Sequence, residues 1–284
     1  MILIADSGST KAAWRLVAAN GKIYSYLTEG LNPYFKTNTE IIEEIRGSLI
    51  PNFPAATQVS HIFFYGAGCS GAEKCKRVKE ALHDCFAGAK IRVEHDILAA
   101  AHAACGNSAG IVSILGTGSN SCLFNGKRIV SQIGGLGHIL GDEGSGAHLG
   151  KNLLAAYLNH ALPKEIVNEF EQTFSLTREE IRKRVYEKPL ANRFLASFSR
   201  FIGDRQQHPY FEQMTRNCFN VFLEQHVCRY RGYKSKPAHF VGSVAFYFKE
   251  ILLDTARSKN ITTGKILPFP VDALTEYHIA NKGG

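Results

Sequence analysis

The sequence has no long hydrophobic run and no recognisable leader. It contains no uninterrupted stretch of about 18 apolar residues, so a membrane-spanning helix is not expected. The N-terminus reads MILIADSGST, with an acidic residue at position 6 and neither a basic leader nor a small-residue cleavage site. This pattern argues against a signal peptide. We therefore expect a cytoplasmic protein that does not bind membranes.

Paired cysteines are also missing. The seven cysteines are scattered, with no CxxC pair and no histidine at metal-binding spacing. An odd and scattered set fits neither a disulfide framework nor a zinc site. The sequence therefore predicts reduced, mostly structural thiols.

A concentrated basic patch is lacking as well, although the formal net charge is +8. The densest charged run, REEIRKR at 178–184, mixes both signs, as a solvent-exposed helix face does. Nucleic-acid binding is not expected from this distribution. An anionic small ligand remains compatible with it.

A repeated strand pattern is what the sequence does contain. Residues 1–26 read as three antiparallel strands, joined by a Gly/Ser/Thr turn and by Asn20-Gly21. The pattern returns over 109–135, with a second Asn-Gly turn at 125–126. Because Asn-Gly between apolar runs favours a hairpin, each copy predicts a three-stranded meander. Two similar halves predict an α/β protein of two lobes with a central cleft.

The repeat also sets the predicted domain boundary, since no low-complexity linker separates the halves. The first lobe is expected over residues 1–106 and the second over residues 107–284. The second lobe would include a largely helical insertion over about 160–233, to which the sequence assigns no function. The last helix is free to pack back on the first lobe.

The polar turn after the first strand of each copy is a candidate phosphate site. Consecutive backbone N–H groups in a Gly/Ser/Thr turn point into one concavity that suits phosphate oxygens. An ordinary hairpin turn uses the same residue types. The presence of a second copy favours phosphate binding over that alternative. The candidates are Ser7, Gly8, Ser9, Thr10 and Lys11 in the first turn, and Gly116, Thr117, Gly118 and Ser119 in the second turn.

Two carboxylates follow apolar strands. Asp6 is either a turn-capping residue or a Mg²⁺ ligand acting through water, because Mg²⁺ uses few protein carboxylates and keeps several waters. Asp96 stands between a strand and an Ala-rich helix. It is either a helix N-cap or a base that takes a proton from a substrate hydroxyl, and the two roles are compatible.

Two glycine-containing segments complete the candidate site. The glycine segment, residues 134–150, has seven glycines around Asp142-Glu143 and reads as a loop that approaches a ligand or moves on closure. A plain surface loop is the alternative. His138 within it is interpreted as structural rather than as a base. Gly242-Ser243 follows the strand AHFV and precedes a helix, which is a weak nucleotide-binding signal taken alone.

Together these residues resemble the actin-like ATPase superfamily of sugar kinases, actin and Hsp70 chaperones. The sequence is most similar to the branch that contains N-acetylglucosamine kinases and the activators of benzoyl-CoA reductase and 2-hydroxyacyl-CoA dehydratase. The resemblance covers nearly the whole chain. It rests on DSGSTKAAWRL, GTGSNS, GGLGHILGDEGSG and GSVA.

The resemblance implies two ribonuclease-H-like lobes that bind ATP and Mg²⁺. It implies that Asp6 organises Mg²⁺, that the two turns hold the β- and γ-phosphates, and that Asp96 is the catalytic base. Gly242 and Ser243 correspond to the adenosine motif. The implied sugar contacts are Asn32, Asp96, Thr117, Gly135 and Asp142.

The activity implied by the resemblance is ATP-dependent phosphorylation of the 6-hydroxyl of an amino sugar, with N-acetylglucosamine as the first candidate. The family often has Gly-Gly-Trp-Gly where this sequence has Leu136. The exact sugar therefore stays open, and N-acetylmuramic acid or glucosamine are close variants. A small-molecule sugar is the expected partner, and the oligomeric state is open between monomer and homodimer.

Two other functional classes remain. An ATPase activator of a dehydratase or reductase would need cysteines clustered at a dimer axis to ligate an iron–sulfur cluster, and the scattered cysteines speak against it. A non-catalytic ATP-binding regulator would use the same fold. Retention of Asp6, Asp96 and both turns weighs against that reading.

Overall fold

The computed structural model describes residues 1–53 and 58–281. The chain divides into two compact units. Unit 1 comprises Met1–Asn107 and the C-terminal segment Phe269–Gly284, and unit 2 comprises Ser108–Pro268. Each unit contains a five-stranded mixed sheet with helices, so the predicted α/β fold class is confirmed.

The sheet of unit 1 begins with the expected meander. Its strand order is β3-β2-β1-β4-β5, with β1 to β3 antiparallel and with β4 and β5 parallel to β1. Gly21 adopts a left-handed φ of 82° in the turn between β2 and β3, a conformation that glycine tolerates. The strands are β1 (Ile2–Ser7), β2 (Lys11–Val17), β3 (Ile23–Glu29), β4 (His61–Gly66) and β5 (Lys90–His95).

Three helices of unit 1 follow in chain order. The first begins at a capping box in which the Thr37 hydroxyl and the Glu40 carboxylate satisfy each other's backbone N–H groups. Trp14 on β2 is fully buried, and its ring centroid lies 5.9 Å from that of Phe64 on β4. The helices are α1 (Asn38–Glu44), α2 (Ala72–Cys85) and α3 (Asp96–Cys105).

The sheet of unit 2 repeats this topology, as the sequence repeat predicts. Its strand order is β10-β9-β6-β7-β8, with β6 to β8 antiparallel and with β9 and β10 parallel to β6. The strands are β6 (Ala109–Leu115), β7 (Ser119–Asn125), β8 (Ile129–Gly134), β9 (Ala238–Val241) and β10 (Thr263–Leu267).

The helices of unit 2 pack around a core rich in phenylalanine, including the fully buried Phe170, Phe211, Phe219 and Phe222. The glycine segment is not wholly a loop, because it contains one short helix and the start of a longer one. The helices are α4 (Gly137–Leu140), α5 (Gly146–Leu158), α6 (Lys164–Phe174), α7 (Arg178–Tyr186), α8 (Ala191–Ser197), α9 (Ser199–Gly203), α10 (Pro209–Gln225), α11 (Ser243–Tyr247) and α12 (Lys249–Ser258).

The last helix, α13 (Val271–Ala280), belongs to unit 1. It packs on α3, β1 and β2. The Tyr277 ring stacks on His102 with centroids 4.1 Å apart, and the His278 ring stacks on Phe63 at 4.0 Å. Within the described parts of the chain, we find no helix whose length and hydropathy would allow it to cross a membrane.

Candidate functional site

Asp6 and Asp96 lie at the same edge of the unit 1 sheet. Asp6 is near the carboxyl end of β1, Asp96 directly follows β5, and β4 runs parallel between those strands. With two strand spacings between them, β1 and β5 are about 10 Å apart. Burial raises the pKa of Asp6 to about 7, and the negative charge of Asp96 adds to the effect. A cation beside these carboxylates would relieve that repulsion.

The local structure at Asp96 separates its two candidate roles. Helix α3 begins at Asp96 itself, and His95 occupies the N-cap position. The Asp96 carboxylate accepts a hydrogen bond of 2.8 Å from the Ile97 N–H. Burial raises the pKa of Asp96, while the Ile97 N–H and the nearby His95 oppose the shift. Asp96 thus satisfies one first-turn N–H without being the N-cap.

Internal hydrogen bonds hold the first turn in shape. The Gly8 N–H donates to the Lys11 carbonyl at 2.9 Å, which closes the β1–β2 hairpin around Ser9 and Thr10. The Ser7 hydroxyl is fully buried and accepts from the Leu31 N–H at 2.9 Å. The side chain of Ser7 and the N–H of Gly8 therefore build the turn, whereas Thr10 and Lys11 are exposed.

Asn32 is buried against this turn. Its amide Nδ2 donates to the Ser9 hydroxyl at 2.8 Å, and its Oδ1 accepts from the Tyr34 N–H at 2.9 Å. A Cβ on Gly68 would lie 2.1 Å from Asn32 Oδ1. The structure therefore brings Asn32 together with the first turn, and it packs the loop after β4 onto the same amide.

Sequence reasoning missed Gly30, which lies against the first turn. A Cβ on Gly30 would lie 2.3 Å from the Gly8 carbonyl oxygen and 2.7 Å from the Ser9 carbonyl carbon. Both neighbours are backbone atoms, so the turn itself would have to move. The Gly30 N–H also donates to the Thr10 carbonyl at 3.0 Å. In the sequence, the position of Gly30 in EGLNPYF, two residues before the candidate sugar contact Asn32, is the signal that indicates a role at this site.

The second turn is held by the start of helix α5. The Gly146 N–H donates to the Gly116 carbonyl at 2.8 Å, and the Ala147 N–H donates to the Thr117 carbonyl at 3.1 Å. Within the turn, the Gly116 N–H donates to the Gly118 carbonyl at 3.0 Å. The end of the glycine segment is therefore a structural support for the second turn.

Asp142, from the glycine segment, also contacts the second turn. Its Oδ1 accepts from the Ser119 N–H at 2.9 Å, and a Cβ on Gly118 would lie 2.7 Å from Oδ1 and 2.9 Å from Oδ2. Asp142 is 6% exposed. Burial raises the pKa of its carboxyl group, against the effect of the Ser119 N–H. The buried hydroxyl of Ser119 has no hydrogen-bond partner among the described residues.

The other predicted residues of unit 2 also lie near the second turn. The Gly135 N–H donates to the Ser119 carbonyl at 3.4 Å. Gly242 has a left-handed φ of 120°, and a Cβ there would lie 2.4 Å from the Leu115 carbonyl oxygen. Ser243 begins α11 directly after it. The structure thus gathers the second turn, Gly135, Asp142 and the Gly242-Ser243 junction within unit 2.

His138 lies in α4, and its charge opposes the effect of burial on the pKa of Asp142. Over residues 1–53 and 58–281, no group of three or more His, Cys, Asp or Glu side chains is arranged to hold a metal ion.

Comparison with known proteins identifies relatives among solved structures only, since no protein-family model and no curated protein matches the chain. The chain is similar to a candidate N-acetylglucosamine kinase from Porphyromonas gingivalis, with 41% identity, 99% of this chain and 100% of that chain covered, and a TM-score of 0.94. A candidate N-acetylglucosamine kinase from Chromobacterium violaceum is 15% identical, with 97% and 98% covered and a TM-score of 0.76.

A ROK-family glucokinase from Streptomyces griseus, in complex with glucose and AMPPNP, is 14% identical, with 99% of each chain covered and a TM-score of 0.54. At 14–15% identity, the glucokinase and the Chromobacterium protein show a shared fold. The 41% identity over the full length of the Porphyromonas protein shows a shared family.

Proposed function

Because this chain belongs to the N-acetylglucosamine kinase family of the actin-like ATPase superfamily, we propose that it transfers the γ-phosphoryl group of ATP to the 6-hydroxyl of N-acetylglucosamine. The observation that carries the proposal is the pair of carboxylates, Asp6 and Asp96, at one edge of the unit 1 sheet. Asp6 is suited to binding a cation, and Asp96 is suited to accepting a proton from a substrate hydroxyl.

The two turns and the Gly242-Ser243 junction are the proposed ATP-binding residues. In unit 1 the first turn would contribute Ser9, Thr10 and Lys11, with Ser7 and Gly8 maintaining its shape. In unit 2 the second turn would bind phosphate oxygens through backbone N–H groups, and Gly242 with Ser243 would lie against the adenosine. Gly242 lies against the backbone of Leu115 and Gly116, at the start of the second turn, and this proximity to the proposed phosphate site supports the assignment.

The residues present fit a magnesium ion at Asp6. Burial raises the pKa of both carboxyl groups, and the charge of Asp96 raises the pKa of Asp6 further, so a divalent cation would stabilise the ionised forms. Mg²⁺ is commonly held by one or two carboxylates together with phosphates and water, so Asp6 alone is a sufficient protein ligand. When bound, the ion would offset the negative charge of the phosphates.

Asp96 would act as the general base. It would accept the proton of the sugar 6-hydroxyl as that oxygen attacks the γ-phosphate in line. The base must be unprotonated, and the Ile97 N–H and the His95 charge favour that form against burial. Most of the acceleration would come from alignment of the two substrates, because phosphoryl transfer asks little covalent work of the protein.

The sugar would be recognised by Asn32, Asp96, Thr117, Gly135 and Asp142. Asp142 uses Oδ1 for the Ser119 N–H, so Oδ2 would be the acceptor for a sugar hydroxyl. Leu136, where the family often has tryptophan, is 64% exposed beside this position. Discrimination between N-acetylglucosamine and related sugars would depend on such pocket edges. We also propose a cytoplasmic location.

A coupled ADP-release assay with Mg-ATP tests the proposal. The panel contains N-acetylglucosamine, N-acetylmuramic acid, N-acetylmannosamine, glucosamine and glucose, with a control without sugar. We expect strong release with N-acetylglucosamine and slow release without sugar. Preference for another amino sugar would correct the substrate, whereas release independent of sugar would contradict the kinase proposal and favour an ATPase activator.

A further inference from the structure

A buried pair, Glu143 and His226, lies next to the proposed sugar site. The Glu143 Oε2 and His226 Nε2 atoms are 3.0 Å apart. Only 4% of the His226 side chain and 19% of the Glu143 side chain is exposed. Burial alone would raise the pKa of Glu143, but the hydrogen bond and the charge of His226 hold it below its usual value. Neither residue belongs to the binding site described above.

The second ring nitrogen of His226, Nδ1, contacts Ile133 of β8, the residue directly before the glycine segment. His226 Nδ1 lies 3.2 Å from the Ile133 carbonyl oxygen, which can only accept. Both ring nitrogens therefore face oxygen atoms, since Nδ1 also lies 3.5 Å from the Ser121 hydroxyl. The ring also stacks on Phe222, with centroids 4.6 Å apart. The position of the imidazole is thus set from three sides.

The backbone at Ile133 is held from two directions. The Ile133 N–H donates to the Tyr230 hydroxyl at 3.0 Å, and the Ser121 hydroxyl donates to the Ile133 carbonyl at 2.8 Å. The two hydroxyls are themselves 2.8 Å apart. Next along the chain, Gly134 has a φ of 105°, and a Cβ there would lie 2.7 Å from the His226 ring. His226 therefore sits where the glycine segment leaves β8.

Glu143 brings the glycine segment back into contact with the His226 ring. Residues 134–143 leave β8 beside His226 and come back to His226 through the Glu143 carboxylate. Asp142, directly before Glu143, has a left-handed φ of 60°, which is costly for a residue other than glycine. Such a conformation persists where the surrounding contacts hold it in place. Three contacts hold this stretch: the Asp142 carbonyl accepts from the Ser145 N–H at 3.2 Å, the Asp142 side chain accepts from the Ser119 N–H, and the next residue, Glu143, is bound to His226.

We propose that Glu143 and His226 form a positioning couple that closes residues 134–143 onto β8 and thereby sets the orientation of the Asp142 carboxylate. Neither residue touches the sugar. They act through Asp142, so the inference rests on the proposed sugar-binding role of Asp142. The sequence hides this couple, because its two members are 83 residues apart.

A double-mutant cycle with Glu143→Leu, His226→Phe and the combined variant tests the couple. Removing one partner leaves the other buried and uncompensated, whereas removing both replaces the pair by apolar side chains. We expect each single variant to raise the KM for the sugar about tenfold relative to the KM for ATP. The double variant should stay within about threefold of the worse single variant, because residues that act as a unit are not additive.

Glu165→Leu is the matched control. Glu165 lies 3.6 Å from His208 in another Glu–His pair of unit 2, and 64% of its side chain is exposed. This variant should keep the wild-type KM for both substrates. If a single variant does not fold, the double variant decides, and it should fold with a raised KM for the sugar. A wild-type sugar KM in the double variant, or additive effects of the two changes, would overturn the proposal.

Hydrogen exchange provides a readout that does not depend on activity. The Ser119 amide donates to Asp142 and should exchange faster in the double variant than in the wild type and in Glu165→Leu. Unchanged exchange at Ser119 would overturn the couple. If the wild-type protein phosphorylates no sugar, the proposed function fails, while the exchange experiment still decides whether the couple orients Asp142.

Discussion

At the scale of single residues, the surroundings of a carboxylate decide which chemistry it can perform. Asp6 and Asp96 lie at the same sheet edge, and burial raises the pKa of both carboxyl groups. Asp142 is also buried, but its Oδ1 is already bound to the Ser119 N–H. Three aspartates that look alike in the sequence thus differ in the partners that remain for a ligand.

Replacing Asp96 by asparagine should abolish phosphoryl transfer while leaving ATP binding near normal. Loss of a general base typically lowers kcat by about 10²- to 10⁴-fold. Asparagine keeps the shape and an oxygen that can accept from the Ile97 N–H, so the start of α3 should stay intact. ADP release and nucleotide titration measure the two effects.

Asp254→Asn is a suitable control for that experiment. Asp254 pairs with Arg257 on the surface of α12 and should tolerate the change. If Asp96→Asn retained most of the wild-type activity, the assignment of Asp96 as the base would be incorrect.

At the scale of elements, close backbone packing shapes the first turn. Gly30, at the end of the meander, lies against Gly8 and Ser9 with no room for a side chain. The Asn32 amide then holds the Ser9 hydroxyl. The turn is therefore shaped by the chain that follows β3 as much as by its own residues.

The substitution Gly30→Ala should therefore raise the KM for ATP. Its Cβ would lie 2.3 Å from the Gly8 carbonyl oxygen, so the turn must shift by a substantial fraction of an ångström. We expect an increase of about tenfold or more, since small misplacements of binding groups are costly. Gly47→Ala is the control, because a Cβ there meets nothing within 4 Å. Equal kinetics for both variants would exclude this role for Gly30.

The contact of α13 with α3 and the sheet should be sensitive to acid. Burial lowers the pKa of both His102 and His278 to about 4. In the unfolded chain these groups titrate near 6.5, so the unfolded state binds more protons between the two values. The stability of unit 1 should therefore be full above about pH 6.5 and should fall as the pH drops towards 4.

His278→Phe should reduce this acid sensitivity. Phenylalanine can keep the stacking on Phe63 while removing one titrating group. Between pH 6.5 and 4.5, the Tm of the variant should fall less than that of the wild type by about 3 °C. His83→Phe, on the exposed side of α2, should behave as the wild type does. The same pH slope for His278→Phe and the wild type would contradict this prediction.

At the scale of the whole molecule, unit 1 is discontinuous in sequence. Its last segment follows the whole of unit 2 and supplies α13. Val271 and Leu274 of α13 are buried, and Tyr277 stacks on His102. Folding of unit 1 therefore depends on residues at both ends of the chain.

Truncation after Pro268 should destabilise unit 1 selectively. Loss of α13 exposes the apolar surface of α3 and β1, so unfolding should separate into two transitions, the earlier one from unit 1. Calorimetry and limited proteolysis would detect this. Asp272→Ala is the control, since it keeps α13 and removes an exposed carboxylate whose ion pair to Arg15 is worth about 1 kcal/mol or less. A single wild-type transition after truncation would show that α13 is dispensable.

Much of the fold follows from local patterns. The Asn-Gly turns at 20–21 and 125–126 and the alternation of strands identify both meanders, and the two sheets confirm the fold class. The helical character of residues 160–233 was also anticipated. The glycine segment was only partly anticipated, because Gly146 opens a helix whose first N–H groups bind the second turn. That helix start depends on tertiary hydrogen bonds rather than on propensity.

The sequence by itself determined the repeat, the two turns and the carboxylates that end the strands, because these depend on residue type and short spacing. Tertiary structure alone decided which groups are already bound: the Ser7 hydroxyl to Leu31, Asp142 to Ser119, and Glu143 to His226. These contacts join residues from 23 to 83 positions apart. The pKa of a carboxylate and its free acceptor atoms depend on such neighbours, which only the folded chain brings together.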